Sequence, residues 1–240
     1  MELKDIIKNI KKLNIVSLSH EIDSNFPTFN IDEKFEKITL SNYENGYLSH
    51  KVNIGTQFST HIDLPAHFIK NGRMLLDLNC DDMLLPIYVI DISKIIDVIP
   101  DYEINIEDIK NFENTHSFIE NDSIVCFYSG FSNKILNKEV DISSMMPGWS
   151  KEAIEFLINK RNIKAIGHDT FNTDSSSSID KNKDYIVQRY LLSKDKFQIE
   201  LMNNLDKIPQ SGAYIYISTL NIKDITGFPV KVIALFDKNI

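Results

Sequence analysis

The densest group of reactive side chains lies at residues 57–68, in the order Gln-Phe-Ser-Thr-His-Ile-Asp-Leu-Pro-Ala-His-Phe. His61 and Asp63 are two residues apart, so in an extended segment both side chains point to the same face, while Ile62 and Leu64 point to the opposite one. An imidazole nitrogen beside a carboxylate oxygen is a suitable pair of ligands for Zn²⁺ or Mn²⁺. The spacing therefore predicts a metal site on one face of a short strand.

Two further residues extend this motif. Pro65 cannot donate a hydrogen bond within a sheet, so the chain is expected to leave the strand there. His67 would then fold back over the site and transfer protons. The alternative is that these histidines are structural residues held by hydrogen bonds, which is the interpretation we give to His20, His50 and His116.

The elements that must position this motif indicate an α/β protein with a mixed sheet, in one domain spanning residues 1–240. Helical spacing of apolar residues is found at residues 2–12 and at Trp149–Arg161, with shorter stretches at Ile106–Phe112 and Lys196–Leu205. The predicted strands are Ile15–Leu18, Phe35–Leu40, Leu48–Ile54, Pro86–Ile92, Ser123–Tyr128, Ala165–His168, Ala213–Ser218 and Val230–Phe236.

Composition narrows the function classes. The 240 residues are 42% hydrophobic and 25% charged, with a formal net charge of -8. A negative protein is repelled by phosphate backbones and anionic lipids, so we expect no nucleic-acid or membrane partner. The two cysteines are too few for a disulfide framework, and the first residues lack the apolar core of a signal peptide, which predicts a cytoplasmic protein.

Residues 57–67 resemble the signature His-x-Gly-Thr-His-x-Asp-x-Pro-x-His of the cyclase family of metal-dependent hydrolases, which includes kynurenine formamidase and isatin hydrolase. The matching positions are Thr60, His61, Asp63, Pro65 and His67. Similar segments follow in the family's order along most of the chain: Pro147-Gly148-Trp149-Ser150, Ile166-Gly167-His168-Asp169-Thr170, Gln188-Arg189-Tyr190-Leu191-Leu192, Ile199-Glu200 and Gly227-Phe228-Pro229-Val230.

The resemblance implies a ligand set. It assigns one ion to Gln57, His61 and Asp63, a second ion to Asp63, Gln188 and Glu200, and the role of general acid/base to His67. Gln57 and Gln188 stand where the family has histidines, and Ser59 stands where it has glycine. A neutral amide oxygen is a weaker ligand for zinc than imidazole, so we expect a weaker site, one ion in place of two, or a preference for Mn²⁺.

The same resemblance implies the fold and the activity. The fold would be the cyclase-like swivelling β/β/α fold, with a mixed or barrel-like sheet and flanking helices. The activity would be arylformamidase-like cleavage of an amide, formamide, lactam or ester of a small substrate, in a homodimer or homotetramer. Phe26, Phe58, Phe68 and Phe131 are candidates for contacting an aromatic substrate. The alternative is a non-catalytic binding member of the family, weakened at Gln57 and Gln188.

Two aspartates outside the motif suggest a carboxylate pair at first sight. Asp169 and Asp174 are five residues apart, in a segment expected to run from a strand into a loop. We interpret them as turn and hydrogen-bonding residues near the rim of the pocket. His168, beside Asp169, has no assigned role at this stage.

Overall fold

A curled sheet of nine strands, with helices packed against it, organises the chain. The computed structural model describes residues 2–28, 34–139 and 143–238. The strands are β1 Asn14–Ser17, β2 Glu36–Ser41, β3 Ser49–Asn53, β4 His61–Asp63, β5 Leu84–Asp91, β6 Glu103–Ile104, β7 Ile124–Tyr128, β8 Gly148–Trp149, β9 Ala165–His168, β10 Phe197–Glu200, β11 Ala213–Ser218, β12 Gly227–Pro229 and β13 Lys231–Phe236. The helices are α1 Leu3–Ile10, α2 Ser93–Ile96, α3 Ile106–Thr115, α4 Phe131–Leu136, α5 Lys151–Arg161, α6 Ser176–Asn182 and α7 Ile186–Ser193.

The nine strands are ordered β1-β13-β11-β5-β7-β9-β10-β4-β12. Strands β5, β7, β9 and β10 are mutually parallel, whereas β10 pairs with β4, and β4 with β12, in antiparallel fashion. Two small sheets, β2-β3 and β6-β8, lie apart from the main sheet. This arrangement confirms the predicted α/β fold around a mixed sheet.

Burial on both faces of the sheet explains why its central strands are continuously apolar. In β7, Ile124 and Cys126 belong to one apolar cluster, while Val125 and Phe127 belong to the cluster on the opposite face. The second cluster is completed by helices that include α5. Ser150 caps α5 by accepting a hydrogen bond from the Ala153 backbone N–H at 3.2 Å.

One local prediction is wrong. The stretch Lys196–Leu205 was expected to be helical, but it contains β10, because pairing with β9 on one side and β4 on the other favours the extended form over a local helical pattern. The predicted helix at residues 2–12 is confirmed as α1, and its apolar face is exposed, with Ile7 48% exposed and Ile10 41% exposed. Within the described ranges, no helix is long and apolar enough to cross a membrane.

Candidate metal centre

The candidate metal centre is assembled by two neighbouring antiparallel strands. In the register of β10 against β4, Glu200 lies opposite His61 and Gln198 lies opposite Asp63. Since side chains alternate along a strand, these four polar groups share one face, while Ile62 and Ile199 point together into the core. The Nε2 atom of His61 is 3.5 Å from Asp63 Oδ2 and 3.4 Å from Glu200 Oε2. Long-range pairing thus joins residues that are far apart in the sequence.

The extended conformation does not continue into the segment before β4. Ser59 has a backbone φ of 57°, which ends the extended conformation two residues before His61. Thr60 fixes the segment on both sides, because its hydroxyl donates to the Leu201 carbonyl oxygen at 2.6 Å and accepts from the His20 backbone N–H at 3.0 Å. The predicted exit from the strand at Pro65 is confirmed, since a 3₁₀ turn spans Pro65–His67.

The backbone sets the orientation of the His61 ring. His61 Nδ1 lies 2.9 Å from the Ser59 carbonyl oxygen, so this nitrogen carries the proton and donates it. The other ring nitrogen, Nε2, is buried, faces the two carboxylates and makes no hydrogen bond with any described residue. An unpartnered imidazole nitrogen converging with two carboxylates fits a divalent cation. His61, Asp63 and Glu200 are therefore a chemically suitable donor set.

The electrostatics of this cluster favour a positive charge beside the two carboxylates. Burial alone lowers the pKa of His61, but the negative charges of Asp63 and Glu200 outweigh it and raise that pKa to about 9. Burial raises the pKa of Asp63, yet the nearby His61 reverses the effect and brings it to about 2. Burial and repulsion by Asp63 raise the pKa of Glu200 well above its usual value. A positive charge beside the two carboxylates, on His61 or on a bound cation, therefore stabilises this cluster.

Gln57 and Gln188, predicted as metal ligands, both contact Asp63. Each presents its amide nitrogen: Gln57 Nε2 is 3.2 Å from Asp63 Oδ1, and Gln188 Nε2 is 3.3 Å from Asp63 Oδ2. Gln188 is placed by Asp174, whose carboxylate accepts from the Val187 and Gln188 backbone N–H groups at the start of α7. The structure brings both glutamines to Asp63, where they donate hydrogen bonds to its carboxylate, and their role as metal ligands stays a prediction.

Gln198 is a site residue that the sequence reasoning missed. Its amide nitrogen lies 2.7 Å from Glu200 Oε1 and 3.2 Å from Asp63 Oδ2. The available signal was its position two residues before Glu200, which places both side chains on one face of a strand. That signal was lost because the segment was assigned to a helix.

The predicted proton carrier His67 lies at the end of the 3₁₀ turn and is only partly buried. Its charge contributes to lowering the pKa of Asp63. Its ring packs edge-on against Phe68, with the ring centres 4.9 Å apart. Phe68 is in turn held by Tyr185 and by the Arg189 guanidinium, 4.9 Å from its ring centre.

The structure separates the four aromatic residues predicted to contact substrate. Phe26, Phe58 and Phe131 lie in one small apolar cluster with Met146, Phe171 and Leu201. Phe58 immediately precedes the Ser59 turn of the motif, so this cluster adjoins the site. Phe68 lies outside the cluster, beside His67 and α7.

Asp169 and Asp174 are hydrogen-bonding residues, as predicted, but both are buried, so the predicted position at a pocket rim is wrong. Asp169 is 1% exposed and Asp174 is 0% exposed. Asp169 accepts hydrogen bonds from the backbone N–H and hydroxyl of Ser129 and from the backbone N–H of Phe131. Both aspartates have a structural role, because each accepts hydrogen bonds from backbone N–H groups in a distant segment of the chain.

Gly227 is required by the geometry of the site. A Cβ atom there would lie 2.3 Å from the Ile62 carbonyl oxygen and 2.9 Å from Asp63 Oδ1. Gly227 pairs with Asp63 across β12 and β4, so any side chain would push the outer strand away from the site. The absence of a side chain at Gly227 allows β12 to close over Asp63.

A family model for putative cyclases matches residues 16–175, more than half of the 240-residue chain. The chain therefore belongs to the cyclase family, as its sequence motifs predicted.

Two relatives of the chain are hydrolases. It is 28% identical to isatin hydrolase from Roseibium aggregatum over 196 residues. This alignment covers 77% of this chain and 73% of the relative. It is 23% identical over 229 residues to kynurenine formamidase from Bacillus cereus, which covers 91% of this chain and 95% of the relative. These relationships confirm the predicted enzyme class, a hydrolase.

The fold agrees with the same relationship. The structure of isatin hydrolase A from Labrenzia aggregata, solved with benzyl benzoate bound, aligns with a TM-score of 0.89 at 27% identity. The alignment covers 98% of this chain and 99% of the other. It confirms the predicted cyclase-like fold.

Proposed function

We propose that this chain is a metal-dependent hydrolase that cleaves the C–N bond of a small cyclic amide or aryl formamide. The observation that carries the proposal is the convergence of His61 Nε2 with the carboxylates of Asp63 and Glu200, in a buried place where the nitrogen has no hydrogen-bond partner among the described residues. The substrate class rests on the relatives, which are an isatin hydrolase and a kynurenine formamidase.

The donor set favours Mn²⁺ over Zn²⁺. His61 supplies one nitrogen, whereas Asp63 and Glu200 supply oxygens. A half-turn of the Gln57 or Gln188 amide would add a neutral oxygen, since both side chains already contact Asp63. Oxygen-rich sites suit Mn²⁺, while zinc in proteins is bound mainly by imidazole and thiolate.

An ion held there supplies Lewis-acid chemistry, which polarises a carbonyl and lets water attack near neutral pH. The chain's own residues then place and move the proton. An imidazole nitrogen of His67 accepts a proton from the attacking water and returns it to the leaving nitrogen, so the proton count balances over one hydrolysis. Phe26, Phe58 and Phe131 would contact the aromatic part of the substrate, and Phe68 would hold the His67 ring.

The test combines metal analysis with a substrate assay. Protein purified without chelator is analysed for Mn and Zn and then assayed with isatin and with N-formylkynurenine. His67→Ala should lower kcat by about 10²–10⁴-fold while the metal content and the melting temperature stay close to the parent values. His50→Ala is a matched control, because His50 is an exposed histidine on the separate β2-β3 sheet. Activity of His67→Ala within a few-fold of the parent contradicts the role of proton carrier.

The second candidate function is a binding protein without turnover. It is favoured by the three amide nitrogens on Asp63, which satisfy this carboxylate without a cation. Protein that contains no Mn or Zn, shows no rise in melting temperature with either ion and does not cleave either substrate would support it.

We also propose a cytoplasmic location, a small-molecule substrate and a homodimeric or homotetrameric assembly. These proposals rest on the composition and on the family resemblance. Sedimentation of the purified protein measures the assembly directly, and a monomer at micromolar concentration contradicts it.

A further inference from the structure

One part of the sheet and one helix of this chain are both apolar and both exposed. Among the described helices, α3, α5 and α7 cover the middle of the nine-stranded sheet, where their apolar residues pack against β7 and β9. On the same side of the sheet, β1, β13 and β11 are covered by no helix of the described ranges. We propose that this part of the sheet binds α1 of a second copy of the chain, in a reciprocal contact between the two copies.

The register of the strands arranges apolar side chains in two rows on this side of the sheet. Residues directly opposite each other on paired strands point to the same side, whereas their neighbours, such as Ile215 and Val232, point into the core. We call the residues of the two rows the bare face: Ile15, Leu84, Pro86, Tyr214, Tyr216, Ile233 and Leu235.

The bare face has the composition of an interface and not of a solvated surface. Ile15 is 57% exposed, Leu84 is 54% exposed and Tyr214 is 49% exposed. The outward side chains of an antiparallel sheet that faces water are normally polar. Tyrosines among aliphatic residues are instead enriched where one protein contacts another.

The helix α1 presents an apolar face that no described residue buries. Its side chains are exposed from Lys4 to Ile10, and these include Ile6 and Ile7. Ile6 and Ile10 are four residues apart, and Ile7 and Ile10 are three apart, so the three lie on one face of the helix. A helix of eight residues is shorter than the about 12–15 residues that an isolated helix needs in water. Burial against another surface therefore stabilises α1.

The link between α1 and β1 keeps the helix away from the bare face of its own chain. Only residues 11–13 separate the two elements. The backbone N–H groups of these residues all donate to carbonyl oxygens of α1, at distances of 2.9–3.2 Å. These bonds continue the helical turn up to the strand, whereas folding α1 back over β1 requires a linker that reverses direction. The bare face is thus left for a helix of another molecule.

Charge favours a second copy as that molecule. Residues 1–12 contain four lysines and two acidic residues, whereas the whole chain has a net charge of -8. A positive helix is attracted to the negative body of another copy, and the exposed Asp237 follows β13 at the border of the bare face. Because each chain carries both the helix and the face, a two-fold axis buries both surfaces in both copies.

The test places one defect on each side of the contact and measures association by sedimentation velocity over a range of concentrations. Ile7→Glu introduces a charge into the apolar face of α1, and Tyr216→Thr removes an aromatic ring while keeping a residue that suits a strand. Each substitution acts at both contacts of the dimer, so we expect association at least tenfold weaker than in the parent. Val98→Glu is the control, because Val98 is 81% exposed and lies outside both surfaces, and its association should stay within about threefold.

A mixture of the two variants tests whether the helix binds the face of the other copy. A mixed dimer retains one undamaged contact, between α1 of the Tyr216→Thr copy and the bare face of the Ile7→Glu copy. The mixture should therefore associate at least threefold more tightly than either variant alone. Packing of helix on helix and of face on face leaves no undamaged contact in the mixed dimer, and so predicts no recovery.

The inference rests on the assembly proposed above and not on the metal centre, so protein without metal or activity tests it equally well. A parent that is monomeric at micromolar concentration, unchanged association in both variants, or a mixture no tighter than its components would each overturn it. Binding of the parent to phosphatidylglycerol vesicles that is lost in Ile7→Glu and kept in Tyr216→Thr, without association of the parent, would also overturn it and assign α1 to a lipid surface.

Discussion

Two buried aspartates of this chain, Asp63 and Asp169, are equally exposed to solvent, but their pKa values are shifted in opposite directions. Each is 1% exposed, and each accepts at least three hydrogen bonds. Burial raises the pKa of Asp169 to about 6 in spite of the hydrogen bonds from the Ser129 hydroxyl and the backbone N–H groups nearby. For Asp63 the effect of burial is overcome by the charge of His61, and the pKa falls to about 2.

The comparison of Asp63 with Asp169 shows how a proposed metal ligand differs from a buried aspartate with a structural role. Hydrogen bonds from neutral donors compensate part of the cost of burying a carboxylate, but a positive neighbour compensates it fully. Asp169 has only neutral partners and serves to hold the start of α4 against β9. Asp63 has a cationic neighbour and a second carboxylate, Glu200, within the same cluster. The property to test is therefore whether the Asp63 site, unlike the Asp169 site, binds a positive ion.

The largest expected effect comes from removing the charge of Asp63. Asp63→Asn should lower kcat/KM for the active substrate at least 10³-fold and abolish Mn²⁺ binding. The reason is that the cluster loses the negative charge of a proposed metal ligand that lies between His61 and Glu200. Asp169→Asn is the matched control and should keep Mn²⁺ affinity within about threefold. Equal losses of metal in the two variants would remove the distinction between them.

The next effect is the pH dependence of metal binding. An ion must displace the proton of His61, whose pKa is raised to about 9, and that of Glu200, whose pKa is raised well above its usual value. Apparent Mn²⁺ affinity should therefore rise with pH between 6 and 9, by up to about tenfold per unit for each proton displaced. Titration calorimetry in two buffers of different ionisation enthalpy counts the protons. Affinity that is flat over this range would show that His61 binds no ion.

Asp169 should affect stability with the sign set by its raised pKa. The folded value of about 6 exceeds the unfolded value of 3.8, so its contribution to stability is fully present below pH 3.8 and is lost as the pH rises through 6. Between pH 4 and pH 7.5, the parent's free energy of unfolding should fall by up to about 3 kcal/mol relative to Asp169→Asn. Urea unfolding at the two pH values measures this difference. A difference of the opposite sign would mean that the Ser129 and Phe131 donors outweigh burial.

The smallest expected effect is at Ser59. Its φ of 57° favours glycine, and its buried hydroxyl has no hydrogen-bond partner within the described part of the chain. Ser59→Gly should raise the free energy of unfolding by about 0.5–1 kcal/mol, because both the backbone strain and the unpaired hydroxyl are removed. Ser59→Ala, which removes only the hydroxyl, separates the two contributions. A loss of stability in Ser59→Gly would assign the hydroxyl a partner in the folded protein.

The sequence was sufficient where local pattern and physical role coincide. The motif predicted His61 and Asp63, the order of later segments predicted Glu200, and the break at Pro65 followed from the chemistry of proline. The role of His67 stays a prediction. Gln198 was missed because β10 has only four residues and is extended through pairing with strands from elsewhere in the chain. Local spacing carries no information about such partners.

The burial of Asp169 and Asp174 and the contacts of His168 were missed for a related reason. Short polar residues after a strand are most often turn residues, so the sequence favoured a surface position. Their burial follows from contacts with Ser129, with the start of α7 and with Thr173, all of which depend on how distant segments pack. Such contacts become visible only once the sheet order is known.

The shared register of β4 and β10 makes the centre unusually sensitive to the length of the chain. His61, Asp63, Gln198 and Glu200 occupy alternate positions of two paired strands. A single residue inserted or deleted within either strand would therefore turn its pair of polar side chains into the apolar interior and bring Ile62 or Ile199 to the surface of the site. Lineages that carry this chemistry should vary freely in the lengths of their loops but keep the spacing inside these two strands.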